Sequence, residues 1–278
     1  MTTSRATNGS AAFGRLLRHW RQARGLSQLA LALDAEISSR HVSFLETGRT
    51  RPSRDMVQRL GAVLDLPLDE RNALALAAGY APAYGERELG APELAHVHRA
   101  LTFILRQQEP YPAIVVDRAW NVVMHNEAST RIFGRFRSAT LPPDVARNAL
   151  LSTFHPDGIR QFVVNWKELA APLIHTVHRE AAASEAAARL RDTLLAYPGV
   201  PARWKVPDPA AAAPILSMQL KRGDLSLAFF STITTLATPQ DVTLQQLRIE
   251  CFHPADTGTE TIARRLAATP LPPPSAAP

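Results

Sequence analysis

The chain has 278 residues, 46% of them hydrophobic, and a formal net charge of +6 at pH 7. This length favours two domains, each able to bury an apolar core. A basic balance is typical of proteins with polyanionic partners. The single cysteine, Cys251, excludes a disulfide within the chain. No apolar run suits a signal peptide or a membrane span, so we expect a cytoplasmic protein with no membrane partner.

The positive charge is concentrated near the N-terminus. Residues 13–54 contain eight arginines and three acidic residues, a net charge of +5 that makes up most of the excess. Four apolar side chains at its start recur at helical spacing, namely Phe13, Leu16, Leu17 and Trp20. This pattern predicts a helix over 13–24 that Gly25 ends, and we expect residues 1–12 to be flexible.

Serine residues mark the starts of the next three predicted helices. Each serine can accept a hydrogen bond from the first helical turn. The three capping residues are Ser27, Ser38 and Ser53. The helices that they precede are predicted over 28–35, 39–47 and 54–64. A fifth helix is predicted over 70–78, with Asp69 as its cap and Gly79 at its end. In the second helix, Leu29, Ala30 and Leu33 are expected to face the core.

The second and third predicted helices match helix-turn-helix geometry, in which the second helix of the pair reads the major groove. The phrases GLSQ…LA and S…LETGR…PS resemble the XRE/Cro-type repressor family, which places this DNA-binding domain over residues 13–79. The resemblance implies phosphate contacts from five side chains: Gln28, Arg49, Arg51, Ser53 and Arg54. It implies that the exposed start of the third helix meets the bases, through Ser39, Arg40, His41 and Ser43, and we count its cap, Ser38, among the DNA-binding residues. Arg40 can present two parallel N–H groups to guanine.

Two further residues of this domain can be compared with the family pattern: Glu46 matches it and Phe44 departs from it. Glu46 resembles the family's structural glutamate, and we expect it to join the helix pair through Arg15 or Arg18. Phe44 stands where a polar residue is common; it can touch a thymine methyl group or a deoxyribose, but core packing is favoured. An alternative to DNA binding is a five-helix protein-binding module with a solvated arginine face.

A segment rich in turn-forming residues, 80–92, is predicted to be a linker, and the second domain to cover 93–266. A helix over 94–107 precedes two β-rich runs around Asp117–Arg118, which predict a hairpin. Asn126 is expected to cap a helix over 127–133. A hairpin followed by a capped helix is typical of PAS-type sensor domains.

The rest of the second domain contains helices and then strands. Helices are predicted over 144–154 and 180–196, with an apolar helical stripe over 159–173 that breaks near Pro172. Strands are predicted over 215–220, 225–236 and 242–252, and a last helix over 257–266. The tail, 267–278, is expected to be disordered. The fold class is therefore α+β, an all-α domain followed by an antiparallel sheet of about five strands with helices on one face.

Long phrases of the second half, YPAIVVDRAWNVVMHN, HPDGIRQFVVNW and LSLAFFSTITTLATPQDVTLQQLRIECFHPAD, resemble the MmyB-like transcription regulator ligand-binding domain. The resemblance implies a PAS-like sensor fused to an XRE-type DNA-binding domain. It predicts a homodimeric transcription regulator that binds a double-stranded DNA operator and an apolar small-molecule effector, for which a fatty acid is one candidate.

Ten residues of these phrases are candidate ligand contacts. Three could supply apolar wall: Phe133, Phe162 and Trp166. Seven could bind a polar head group: Asn126, His155, Arg160, Asn165, Thr232, Thr234 and Arg248. A carboxylate would favour Arg160 or Arg248, because a guanidinium offers two parallel hydrogen bonds. The alternatives are core packing for the aromatic residues, a structural hydrogen bond for Asn165 and strand propensity for the threonines.

Two other functions compete with ligand sensing. One is constitutive DNA binding with a second domain that only dimerises. The other is an enzyme with a DNA-binding head, but no catalytic motif supports it. Cys251 near His253 lacks a third group for nucleophilic catalysis, and His175 with His178 suits a helix surface better than a metal. We therefore predict no catalytic residues, no metal and no cofactor.

Overall fold

The computed structural model of the chain describes residues 3–181, 184–208, 213, 215–237 and 239–268, with side chains from residue 10 onward. The chain divides into two compact units. The first consists of Met1–Leu89 together with Ala237–Gln245, and the second of Gly90–Leu236 and Gln246–Pro278. Most of the predicted disordered tail, from residue 269 on, lies outside the described residues.

The first unit begins with five helices. They are α1 (Thr3–Ala23), α2 (Gln28–Asp34), α3 (Ser39–Glu46), α4 (Arg54–Val63) and α5 (Leu68–Ala77). The predicted serine caps are confirmed, because the side chains of Ser27, Ser38 and Ser53 accept from backbone N–H groups at 3.0, 3.1 and 3.2 Å. The helix α1 begins at Thr3 and so includes most of the segment that was predicted to be flexible.

The buried face of α2 differs from the sequence prediction. Leu29 and Leu33 are 59% and 69% exposed, whereas Leu31 and Ala32 are buried. Leu29 and Leu33 are four residues apart, and so are the buried Leu31 and Ala35, so periodicity alone does not select the face. The start of α5 also differs, because the helix begins at Leu68 and Asp69 lies inside its first turn.

A distant segment completes the first unit. Residues 237–245 join two strands of the second unit but belong to the first. Asp241, which is buried, forms an ion pair with Arg87 at 2.9 Å. The N–H of Leu68, at the start of α5, donates to the side chain of Gln245 at 2.6 Å. This bond matters because Pro67, the residue before α5, makes no side-chain cap. A strand was predicted over 242–252, but the first part of that range forms the short helix α12 (Val242–Gln246).

The second unit contains a helical layer and one sheet. Its α-helices include α6 (Ala95–Gln107), α7 (Glu127–Phe133), α8 (Pro143–Ala146), α9 (Ala149–Phe154), α10 (Trp166–Ala181), α11 (Glu185–Ala196) and α13 (Thr257–Ala267). Short 3-10 helices lie at Pro92–Leu94, Gly134–Phe136, Ile159–Phe162 and Ala202–Lys205. The strands are β1 (Ala113–Val116), β2 (Val122–His125), β3 (Leu216–Arg222), β4 (Leu225–Thr235) and β5 (Arg248–Pro254).

The five strands form one antiparallel sheet in the order β2-β1-β5-β4-β3, which confirms the predicted α+β class. The last strand in the sequence, β5, lies at the centre, where Glu250 pairs with Ile114 of β1 and Ile233 of β4. Apolar side chains of the sheet and of α7, α9, α10 and α11 make one continuous core. This arrangement places the inner face of the central strand against helices.

The helical connection between β2 and β3 is more divided than predicted. The helix predicted over 144–154 splits at Asn148, whose side chain accepts from the N–H groups of Leu150 and Leu151. The predicted stripe over 159–173 splits into a 3-10 helix and α10. The predicted break near Pro172 is wrong, since Pro172 lies inside α10. Burial of the apolar face of α10 offsets the hydrogen bond that a proline removes.

Candidate functional site

A close approach of two helices positions α3 in the first unit. A Cβ atom added at Gly14 of α1 would lie 2.4 Å from the carbonyl oxygen of Glu46 at the end of α3. Real side chains do not tolerate such a distance, so the glycine lets the two backbones meet. The position of α3 is therefore fixed by backbone contact as well as by its buried Val42 and Leu45.

A buried ion pair joins the same elements. The Nε atom of Arg21 lies 2.6 Å from Oε1 of Glu46, and its Nη2 atom lies 3.1 Å from Oε2. The side-chain amide of Gln28 also donates to Oε2, at 2.8 Å. Glu46 therefore joins α1, α2 and α3, but through Arg21 rather than through the predicted Arg15 or Arg18. Arg18 acts only through its charge.

The first turn of α3 presents an exposed basic surface. Ser38, Ser39 and Arg40 are exposed, and His41 and Ser43 are partly exposed. The hydroxyl of Ser38 accepts from the N–H of His41 as a helix cap, so its predicted DNA contact competes with that bond. This face is the one that helix-turn-helix geometry places in a major groove.

Phe44 supports two of the arginines in this surface. The guanidinium carbon of Arg40 lies 5.2 Å from the centre of the Phe44 ring, and that of Arg49 lies 5.7 Å from it. Phe44 itself is only half-buried. Its ring is thus neither fully in the core nor free for a base, and cation–π contact holds both guanidinium groups near α3.

The other predicted phosphate contacts have different surroundings. Arg51 donates to the carbonyl of Ala78 at 3.2 Å through Nη2, and it lies over the ring of Tyr80. The hydroxyl of Ser53 caps α4, and Gln28 is bound to Glu46. Arg49 and Arg54 are exposed. Arg51 is exposed as well, so all three predicted arginines remain accessible to a phosphate.

The second unit contains a cavity of about 480 Å³. It lies against the inner face of the sheet and receives side chains from α7, α9 and α10. Its apolar wall includes Ile114, Trp120, Phe133, Leu150, Met218 and Phe252. Lining residues of β2 and α7 such as Val123, His125 and Thr130 are exposed, which locates the entrance beside the edge strand. This volume is typical of small-molecule sites.

Arg137 brings a positive charge into the cavity wall. Its Nε atom is buried, and among the residues that the structure describes it has no hydrogen-bond partner. Burial lowers the pKa of the guanidinium, because the charged form loses its hydration. A guanidinium stays protonated despite such a shift, so the wall contains a cation whose buried Nε atom has no partner among the described residues.

Glu250 is the second buried ionisable group of the wall. The residue is 6% exposed and lies on the central strand, two positions before Phe252. Burial raises the pKa of its carboxyl group, an effect that a hydrogen bond from Ser231 and the charge of Arg248 only partly oppose. We conclude that burial favours the protonated carboxyl.

Trp120 holds an unusual backbone conformation beside the cavity. Its φ angle is +66°, a region that bulky residues rarely adopt. Its indole Nε1 donates to Glu180 at 2.9 Å. Arg248 lies over the Trp120 ring at 4.3 Å and forms an ion pair with Glu180. Arg248, which was predicted to bind a ligand carboxylate, therefore has an internal partner.

Of the ten residues predicted to contact a ligand, Phe133 lines the cavity. Three of the predicted polar contacts that precede β3 make structural hydrogen bonds. Asn126 caps α7 and donates to the carbonyl of Tyr111, and Asn165 bonds to Ser217 and Gln219 of β3. His155 accepts from the N–H of Asp157.

The remaining predicted contacts pack or bond outside the cavity wall. Arg160 donates to the carbonyl of Pro198 and lies over Trp166, which packs on Phe154. Phe162 packs on Phe136. Thr232 forms a hydrogen bond with His253. Thr234 pairs with Ile249, on the face of the sheet opposite to Glu250. The structure thus brings Phe133 into the cavity and leaves these residues elsewhere.

Sequence reasoning missed the two buried ionisable groups. An acidic residue within the apolar strand sequence Ile249-Glu250-Cys251-Phe252 was a usable signal, because charged groups are seldom buried without a reason. Arg137 gave no such signal, since its burial depends on tertiary packing.

Comparison with known proteins finds a matching family model for each of two parts of the chain. The model of the MmyB-like transcription regulator ligand binding domain matches residues 97–266, and that of a helix-turn-helix domain matches residues 12–74. A search of the curated proteins gave no match. A similar solved structure is the restriction-modification controller protein C.AhdI from Aeromonas hydrophila. It is 32% identical, over 22% of this chain and 94% of that chain, with a TM-score of 0.22.

The protein is thus a DNA-binding regulator in class, with a helix-turn-helix unit and a ligand-binding unit in one chain. The family match covers more than half of the residues, so the chain belongs to the MmyB-like transcription regulators. Within the described ranges, no helix is both long and apolar enough to cross a membrane.

Proposed function

We propose that this regulator binds a specific DNA sequence and that an anionic amphiphile, such as a fatty acid, occupies its cavity and changes that binding. The observation that carries the proposal is Arg137, whose buried Nε atom has no hydrogen-bond partner among the described residues, in a mostly apolar wall. The cavity role is binding without catalysis.

An anionic head group would pair with the buried charge of Arg137. A buried charge without a partner is costly, whereas a carboxylate offers two parallel, charge-assisted hydrogen bonds to a guanidinium. The apolar remainder of the wall suits a hydrocarbon chain, whose burial contributes about 0.8 kcal/mol per methylene group. A ligand with both parts fits the cavity better than a purely polar or a purely apolar molecule.

The direct test is to extract the purified protein with organic solvent and to analyse the extract by mass spectrometry. A stoichiometric acyl species would support the proposal and identify the chain length to titrate. An empty extract, followed by no binding of added fatty acids in calorimetry, would contradict the cavity role. It would favour a second unit that serves dimerisation alone.

Ligand binding is expected to release DNA. The reason is that an effector shifts DNA affinity only through different contacts in two states, and one chain carries both sites. A saturating fatty acid should weaken binding to a selected operator by about 5- to 150-fold, measured by fluorescence anisotropy. Equal affinity with and without the ligand would contradict this expectation.

Arg40 is expected to set base preference rather than overall affinity. Arg40→Lys keeps the positive charge but loses the planar fork that reads guanine, so discrimination at one base pair should fall by about 1–3 kcal/mol. Selection from a random DNA pool, followed by sequencing, measures this change. Arg49→Lys is the matched control, because Arg49 shares the Phe44 ring but is assigned to phosphate.

The same selection examines the proposed homodimer. A dimeric helix-turn-helix protein binds half-sites about one helical turn apart or a multiple of it. The wild-type protein should therefore recover an inverted repeat, and a lone half-site would oppose a dimer.

A uniform loss of affinity for all sequences in Arg40→Lys would contradict the base-reading role.

A further inference from the structure

Glu250 lies in the wall of the cavity and is not used by the proposed function. It projects from β5 on the same face as Phe252, and its cross-strand neighbour Ile114 also lines the cavity. The residue is 6% exposed. An acidic side chain at the centre of a sheet is expensive, so its presence in this wall calls for a chemical role.

The chemical state of Glu250 defines what it can bind. Burial raises the pKa of the carboxyl group and favours the protonated form. The hydroxyl of Ser231 donates to this carboxyl, which satisfies one acceptor site. A protonated carboxyl also has one O–H group to donate. The guanidinium of Arg248 is already paired with Glu180, so it does not take the place of this O–H donor.

We propose that the effector carries a second, uncharged polar group, a hydroxyl or keto oxygen within its hydrocarbon chain, which accepts a hydrogen bond from Glu250 while the anionic end binds Arg137. The ligand class is then a hydroxy- or oxo-substituted fatty acid. This inference rests on the proposed function, because it needs an anionic amphiphile in the cavity.

An unsubstituted chain is a poorer fit to the same wall. It would cover the Glu250 carboxyl with methylene groups and leave a buried donor without an acceptor, which costs more than a hydrogen bond normally contributes. Sites built to hydrogen-bond a substrate oxygen discriminate strongly against the analogue that lacks it. Glu250 thus acts as a selectivity residue rather than as an anchor.

The experiment compares hexadecanoic acid with monohydroxy- and oxohexadecanoic acids whose substituent moves along the chain. Each acid is titrated by calorimetry into the full-length protein freed of bound lipid. At least one substituted acid should bind about tenfold more tightly than hexadecanoic acid. In Glu250→Met this advantage should disappear, and hexadecanoic acid should bind more tightly than to the wild-type protein, because no buried donor is left unpaired. Glu250→Gln retains an N–H donor and should keep part of the advantage.

The outcomes separate the two proposals. If hexadecanoic acid binds and no substituted acid binds more tightly, the role of Glu250 is overturned and the proposed function stands. An advantage that persists in Glu250→Met also overturns it. If none of the acids binds the wild-type protein, the proposed function itself fails and this inference fails with it. Circular dichroism of both variants excludes unfolding as the cause of a lost preference.

Discussion

Glu46→Ala is expected to destabilise the first unit by about 3–5 kcal/mol and to abolish DNA binding. The side chains of Arg21 and Glu46 are only 10% and 3% exposed, so the substitution leaves a nearly buried guanidinium without its anion. It also removes the acceptor of Gln28, at the start of α2. Urea denaturation followed by circular dichroism measures the loss of stability.

The matched control is an exposed pair in the same unit. Arg59 and Glu36 lie 3.9 Å apart, with side chains 49% and 85% exposed. Surface pairs contribute little, so Arg59→Gln should cost less than about 1 kcal/mol. Similar losses in Glu46→Ala and Arg59→Gln would show that the buried pair has no special role.

The acid dependence of the first unit follows from the same contacts. Burial raises the pKa of the Glu46 carboxyl, but hydrogen bonds from Arg21 and Gln28 and nearby arginine charges outweigh it and lower the pKa below the ordinary 4.5. The unfolded chain therefore takes up this proton more readily. The stability from Glu46 is fully present above pH 4.5 and is lost as the pH falls through the lowered value.

Arg137→Met is expected to have two opposite effects. The ligand-free protein should gain about 1 kcal/mol in stability, because a partly buried charge, whose Nε atom has no partner within the described ranges, is replaced by an apolar side chain of similar length. Affinity for a fatty acid should fall about 100-fold, because the two charge-assisted bonds to the carboxylate are lost. Thermal denaturation and calorimetry measure the two effects on the same sample.

Arg160→Met is the control for this prediction. Sequence reasoning favoured Arg160 as a carboxylate ligand, but its guanidinium bonds to Pro198 and lies over Trp166. Its replacement should change ligand affinity less than about threefold. A large loss in Arg160→Met and none in Arg137→Met would reverse the assignment of the anion site.

Local chemistry explains which parts of the fold were predictable. The serine caps, the glycines that end α1, α3 and α5 with positive φ, and the Asn126 cap depend on neighbouring residues, so the sequence carries them. The buried face of α2 depends on which helices surround it, and alternation of apolar residues in 242–252 did not reveal α12. Both were decided by tertiary packing.

The candidate sites show the same division. The DNA-reading face follows from helix-turn-helix geometry, whereas the partner of Glu46 depended on which arginine of α1 the fold brought near. In the second unit, residues rich in hydrogen-bonding capacity were chosen as ligand contacts, but Asn126, Asn165 and Arg248 use that capacity to hold the fold. Such capacity is left over at the buried Nε atom of Arg137, which is why we propose Arg137 as the ligand contact.

The discontinuous first unit limits how this regulator can be recombined. A fragment ending at residue 89 would lose Gln245 from the start of α5 and Asp241 from Arg87. A chimaera that exchanges sensors at the linker would likewise take its 237–245 segment from a foreign parent. The five DNA-binding helices and residues 237–245 must therefore come from the same parent protein. A chimaera with an exchanged ligand-binding unit requires junctions on both sides of residues 237–245 as well as one at the linker.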